Sequence, residues 1–413
     1  MSLPLVVLIA VFLLIAIRKV GSVRFEIWQV MLLGAGAVLA GGGIAPAAAL
    51  AAVDMDVMLF LLGMFIVGRG LEDSGYLAHV SYKYFRMARS RDTLVLMILF
   101  GGGAVSALLM NDTLAIVGTP VALLLARKHA MRPSMLLLAL AFAITIGSVM
   151  SPIGNPQNLL VAVHGNVPQP FLTFLRWLFL PTLVNLGAAF LVLRWLYGDD
   201  FHEAELKHSQ EPIRNHDLAV LSRMAVQIVI LLVVVKIIIG ILGNGDILRL
   251  PHIALAAALP ILVGSRLRWR VLRRIDWQTL VFFASIFVLM ESVWETGFFQ
   301  HVLADLPWDP RAPEMILGVS IVLSQLISNV PLVALYQPLI LHAGAGVPEL
   351  MALAAGSTIA GNLFIMGAAS NVIIIQNAEK RKGGTISFLE FARAGIPLTL
   401  LNAGIYWIFL RFL

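Results

Sequence analysis

Two polar, helix-breaking clusters, Asn111-Asp112-Thr113 and Ser151-Pro152-Ile153-Gly154-Asn155-Pro156-Gln157-Asn158, sit inside otherwise apolar sequence. They place amides, hydroxyls and a carboxylate where lipid-depth sequence normally carries hydrocarbon. Such groups persist there when they line a polar cavity. A second pair follows, Ser328-Asn329-Val330-Pro331 and Gly367-Ala368-Ala369-Ser370-Asn371. Together they offer amides (Asn111, Asn155, Asn158, Asn329, Asn371), hydroxyls (Thr113, Ser151, Ser328, Ser370) and the Asp112 carboxylate, with Gly154 and Gly367 opening the backbone at the breaks. No Lys or Arg falls in any of the four clusters. A set that both donates and accepts hydrogen bonds suits a small neutral polyhydroxyl solute. Helix N-termini at the breaks could instead hold an anion without arginine.

Asp112 is the proton carrier in this reading. A carboxyl that loses its water when the pocket closes, and regains it on the other side, binds and releases a proton in turn. The competing role is structural: a carboxylate accepting hydrogen bonds from backbone amides at the tip of a turn.

Composition limits the other chemistries. With no cysteine, disulfides, iron–sulfur clusters and thiolate metal sites are excluded. The nine histidines show no ligand spacing along a helix, so no metal site and no cofactor are expected. There is no H-E-x-x-H, no G-x-S-x-G and no pair of aspartates in adjacent spans, so an intramembrane enzyme is not expected. No nucleotide-binding loop is present, and a soluble ATPase subunit, were one to drive the protein, would have to be a separate chain. The net charge of +6 lies mainly in short polar loops and reports topology rather than nucleic-acid binding.

What must position these clusters is a membrane scaffold. At 413 residues, 60% hydrophobic and 13% charged, with repeated apolar runs, the chain reads as an all-α polytopic membrane protein. Its first run, Leu3–Ile17, has no preceding basic residue and no cleavage site, and is expected to stay as a span. Spans are expected at 27–53, 57–70, 134–163, 171–197, 218–242, 253–264, 277–297, 350–376 and 393–413 as well. The aromatic and basic stretch carrying Lys83, Arg86, Arg89 and Arg91 reads as an amphipathic helix at the cytoplasmic interface. Residues 93–126 have basic residues at both ends and should form a re-entrant hairpin with Asn111-Asp112-Thr113 near its tip; 314–345 should dip from the other side.

The path is ten spans and two hairpins, with both termini outside a bacterial inner (plasma) membrane. Basic clusters at 18–24, 83–91, 127–132, 266–274 and 380–382 then all fall on the cytoplasmic side. Residues 1–197 and 218–413 repeat the same order of features at an offset of about 215 residues, joined by a cytoplasmic linker at 198–217. Each half has five spans, an odd number, so the second is expected upside down relative to the first. Inverted-topology repeats with helices broken at the midplane are the architecture of secondary transporters.

On these residues the chain resembles the ion transporter superfamily over nearly its whole length. NDTLAIVGTP is similar to the arsenite–antimonite permease branch, and LSQLISNVP, SPIGNPQN and GNLFIMGAASN resemble the wider set of bacterial anion permeases. The resemblance implies a fixed scaffold layer, a moving layer holding both hairpins and both broken spans, and a solute held between hairpin tips and breaks. It implies export of arsenite or antimonite as the neutral trihydroxide in exchange for protons, with a small inorganic anion or a dicarboxylate as the alternative cargo. The sodium–dicarboxylate branch has Ser-Asn-Thr at both tips. Here Val330 has no side-chain oxygen and Asp112 adds a protonatable group, which tilts the coupling toward protons.

Overall fold

The computed structural model describes residues 2–17, 19–20, 23–24, 26–201, 213–242, 247–298, 309–381 and 384–412. Residues 202–212 of the expected linker, and Arg18 and Lys382 of two basic clusters, lie outside them. Among the described residues the chain is helical, save for a two-residue antiparallel ladder of Lys19–Val20 with Val23–Arg24.

In chain order the first half holds α1 (Leu3–Ile17), α2 (Ile27–Ala40), α3 (Pro46–Ala52), α4 (Met55–Ser74) and α5 (Tyr76–Phe85). Next come α6 (Arg91–Leu96), a π turn (Met97–Gly101), α7 (Gly102–Leu108), α8 (Asn111–Lys128), α9 (Pro133–Ser148), α10 (Pro156–His164) and α11 (Pro170–Leu196). The second half holds α12 (His216–Ile241), α13 (Leu250–Gly264), α14 (Arg268–Arg273), α15 (Trp277–Trp294), α16 (Pro313–Ile327), α17 (Asn329–His342), α18 (Val347–Ile359), α19 (Ala369–Lys380) and α20 (Phe388–Phe412).

The expected run 27–53 is not one helix. It stops at Gly41-Gly42-Gly43, where Gly42 takes a φ of +70° that side-chain-bearing residues avoid, and α3 continues instead into α4 across a 53° bend. Five helices among the described residues are long and apolar enough to cross a membrane, or six if α3 and α4 count as one span. One of the five, Arg91–Leu108, is the first arm of the expected 93–126 hairpin rather than a span; α1, α2, α9 and α13, within expected spans, are shorter apolar helices, as is α16, the first arm of the other hairpin.

Helix contacts fall into two groups. In one, α4 packs along α13 and α2 along α15, with α1 on α2 and α15, and α12 on α13 and α4. In the other, α9 is wrapped by α7, α8 and α11, and α18 by α16, α17 and α20. Residues 135–148 of α9 and 350–359 of α18 are buried without exception, as helices apolar on every face must be. The α7–α9 contact needs bare backbone: a Cβ on Gly147 would lie 2.2 Å from the Gly103 Cα. Across the second group, α11 meets α20 through polar pairs, Thr182 Oγ1 with the Tyr406 hydroxyl at 2.8 Å and Asn402 Nδ2 donating to Asn185 Oδ1 at 2.7 Å.

Both sequence breaks are real interruptions. Residues 149–155 separate α9 from α10, and short 3-10 turns at Ala360–Asn362 and Ile365–Gly367 separate α18 from α19. The two hairpins turn at Leu109-Met110 and at the single residue Ser328, whose φ of +73° is a strained value for a residue with a side chain.

Candidate functional site

Each hairpin is tied to a break by a hydrogen bond. The Asn111 amide donates to the Gly154 carbonyl at 3.1 Å, and the Asp112 amide to Asn111 Oδ1 at 3.0 Å. On the second hairpin, Gln325 Nε2 donates to the Ala360 carbonyl at 2.8 Å, so the arm grips the end of α18.

A cavity of about 560 Å³ opens between these tips and the scaffold. Asn111, Asp112, Ser328 and Asn329 line it, joined by Val330 and by Gln157 at the start of α10. The other predicted residues stand behind the wall. Asn155 caps α10 by accepting from the Asn158 amide at 2.8 Å, and its Nδ2 donates to Ser148 Oγ at 2.9 Å and Thr358 Oγ1 at 3.3 Å. Asn158 Nδ2 donates to the carbonyls of Ser148, Val149 and Ser151 at 3.0, 3.2 and 3.0 Å, while its Oδ1 accepts from the Thr358 hydroxyl at 3.2 Å. Ser151 Oγ accepts from the Ile153 amide. These side chains satisfy backbone groups that the broken helix leaves open.

Thr113 instead packs on α4, where a Cβ on Gly68 would fall 2.3 Å from Thr113 Oγ1. Asn371 Nδ2 donates to the Gly361 carbonyl at 2.6 Å. Gly154 and Gly367 have no room for a side chain, a Cβ on either lying 2.6 Å from a carbonyl oxygen, of Ser148 and Ala360 respectively. The breaks differ in polar satisfaction. Around the second, Ser324 Oγ, Gln325 Oε1, Asn329 Oδ1, Ser370 Oγ and Asn371 Oδ1 are buried without a hydrogen-bond partner, whereas the oxygens of Ser148, Ser151, Asn155 and Asn158 around the first are paired.

The cavity has a feature that sequence reasoning missed. Six helices present their first turn to it: α2 at Glu26-Ile27-Trp28, α8 at Asn111-Asp112, α10 at Pro156-Gln157, α15 at Asp276 to Thr279, α17 at Ser328-Asn329-Val330 and α19 at Ala368-Ala369. Neither Glu26 nor Asp276 is singled out by the sequence reading. The available signal was capping chemistry, an acidic residue just ahead of an apolar run with a partner three residues on. Here the Glu26 amide donates to Gln29 Oε1 at 3.0 Å, and Asp276 accepts from the Thr279 amide at 3.0 Å and hydroxyl at 2.6 Å. Among the described residues lining the cavity there are three carboxylates and no Lys, Arg or His. A helix N-terminus carries roughly half a positive charge, so six contribute about +3 against three carboxylates, and the field inside is close to balanced.

The model of the citrate transporter family matches residues 11–349. The chain belongs to that family. An uncharacterized transporter of Mycobacterium tuberculosis is 30% identical over 384 residues, covering 87% of this chain and 86% of the relative. The mouse P protein is 25% identical over 442 residues, covering 86% of this chain and 53% of its own length. Among solved structures, the Alcanivorax borkumensis YdaH transporter superposes with a TM-score of 0.59 at 14% identity, covering 87% of this chain and 84% of that one. This citrate transporter family member is therefore a membrane transporter with a YdaH-like helical fold.

The far end of α10 carries ion pairs. Asp54, the cap of α4, lies 2.8 Å from His164 Nε2 at the end of α10, and Asp56 lies 3.6 Å from Arg249, which precedes α13. This end presents complementary pairs, whereas Glu26 and Asp276, two like charges, line the cavity.

Proposed function

We propose that this family member is a secondary active carrier that exports arsenite and antimonite as neutral trihydroxides in exchange for protons. The observation that carries the reading is the cavity wall: amides, hydroxyls and helix N-termini, three carboxylates, and no fixed cation among the described lining residues. A near-balanced field neither attracts nor repels an uncharged solute, while the amides and hydroxyls of Asn111, Ser328, Asn329 and Gln157 can pair with its O–H groups. Asp112 is the proton carrier, and its protonation state is what distinguishes the loaded from the returning carrier. Asn155, Asn158, Thr113, Ser151, Ser370 and Asn371 join the solute site in this reading as the mobile layer shifts, or hold its backbone.

The two halves, 1–197 and 218–413, act as inverted repeats. Support comes from the paired contacts: exchanging each helix for its counterpart maps α4–α13 onto α15–α2, α8–α19 onto α17–α10 and α7–α9 onto α16–α18. With both termini outside the inner membrane, the cavity faces the cytoplasm and the Asp54–His164 end, closed in this reading, faces the exterior; the basic loops on one side support this orientation. Alternating access is then an exchange of which mouth is closed.

A second reading, a carrier of a small anion such as a di- or tricarboxylate, is favoured by the family's description and by the same six N-termini. Once Asp112 is protonated the balance tips by one positive charge, enough to favour an anion. Growth on arsenite separates the two. Expression in an arsenite-sensitive bacterial host restores growth under the first reading. Sensitivity unchanged, together with citrate uptake into the same cells, selects the second.

A further inference from the structure

A second cavity, of about 470 Å³, shares no lining residue with the first. It lies between the two arms of the first hairpin and is roofed by α5. Ile98, Phe100 and Val105 form one side, Leu114, Val121 and Leu125 the other. The helix of the first arm takes its π turn at Met97–Gly101 along this wall, which widens the groove, and the Tyr84 ring rests on Gly101, where a Cβ would come within 2.6 Å of it. In the second hairpin the arms α16 and α17 pack on each other.

An apolar void of this size, open at the surface of a membrane protein, gains dispersion contacts along its walls when a hydrocarbon chain enters it. The mouth identifies the occupant. α5 carries Lys83 beside the lining residues Tyr84 and Phe85, with Arg86 and Arg89 following within about a turn, and all three cations are exposed. Val80 and Tyr84, both on the cavity, are themselves 40% and 39% exposed, so the chamber opens to the surface along α5. We infer that this chamber is a binding site for one anionic phospholipid, with an acyl chain lodged between the arms of the first hairpin and the headgroup phosphate on Lys83, Arg86 and Arg89. The lipid wedges the hairpin that carries Asn111 and Asp112 at its tip, and the assignment does not depend on which solute is carried.

The test is native mass spectrometry of the purified full chain titrated with phosphatidylglycerol or phosphatidylcholine, with thermal unfolding as a control. One phosphatidylglycerol should survive delipidation and be preferred over phosphatidylcholine. Basic residues near an anionic surface each strengthen attraction several-fold, so Lys83→Gln/Arg86→Gln/Arg89→Gln should cut that preference by about tenfold or more. Ala122→Phe, which fills the chamber from the buried face of α8, should abolish retention of either lipid while the unfolding midpoint stays within a few degrees of wild type. Equal retention of the two lipids by the wild type, or undiminished retention by Ala122→Phe, overturns the assignment. Should Ala122→Phe not fold, Ala104→Phe, on the opposite arm, gives the same reading.

Discussion

His164 Nε2 sits 2.8 Å from Asp54 Oδ2, joining the far end of α10 to the cap of α4 across 110 residues of sequence. In the proposed alternating-access reading, this pair and Arg249–Asp56 hold the far mouth closed, while the open one presents Glu26 and Asp276. An exposed pair of this kind is worth about 0.2–1 kcal/mol, a shift of up to about fivefold in a two-state balance. Asp54→Asn should therefore raise the fraction of molecules open at the far mouth by up to about fivefold. The native chain has no cysteine, so labelling of a single Ser328→Cys by an impermeant maleimide from that side reads the change directly. Labelling unaffected by the substitution would mean the pair does not bias the equilibrium.

Asp112 stands where α8 begins, with its carboxylate at the cavity and its amide tied to Asn111. Asp112→Asn preserves size and hydrogen bonding but cannot ionise. It should fold and reach the membrane as wild type, retain solute exchange at equal pH on both sides, and lose pH-driven accumulation to background. Proton-driven accumulation that survives the substitution removes Asp112 as the carrier.

Asn158 and Asn371 occupy matching places at the two breaks, yet their surroundings differ. Asn158 serves three carbonyls and one hydroxyl; Asn371 donates to one carbonyl, and its Oδ1 is unpaired. Stranding buried acceptors costs about 1–3 kcal/mol each. Asn158→Ala should lower the unfolding midpoint in detergent by several degrees more than Asn371→Ala does. Equal losses would show that the first break is held by something other than this fan of hydrogen bonds.

The glycines at the α7–α9 crossing make a sharper contrast. A Cβ at Gly147 would meet Gly103 backbone at 2.2 Å, whereas one at Gly103 would meet a Leu186 methyl at 3.1 Å, which can swing aside. Gly147→Ala should sharply reduce the yield of folded protein and Gly103→Ala only slightly, measured by monodispersity on size exclusion. The reverse order would contradict the packing described.

How much of this could be read from sequence follows from the range of the interactions. The breaks were legible because Gly, Pro and Asn inside apolar runs are local signals, and the all-round apolar character of α9 and α18 announced their burial. The interruption at Gly41-Gly42-Gly43 was equally local but was passed over, since neighbouring alanines and leucines keep the hydropathy high. What could not be read is which face of each polar cluster meets the cavity. Asn155 and Asn158 carry the same amide as Asn111, yet their partners lie on α9 and on Thr358, as far as 203 residues away in the chain. Glu26 and Asp276 became cavity residues only when α2 and α15 packed side by side. No local pattern encodes that meeting.

The account rests on a proton-coupled pocket framed by Asp112 and six helix N-termini. Its most direct test is arsenite flux in proteoliposomes under an imposed pH gradient. Wild-type protein should concentrate arsenite on the acidic side, lose that accumulation when a protonophore is added, and show none with Asp112→Asn. Arsenite flux indifferent to the gradient, or absent while citrate is concentrated, would contradict it.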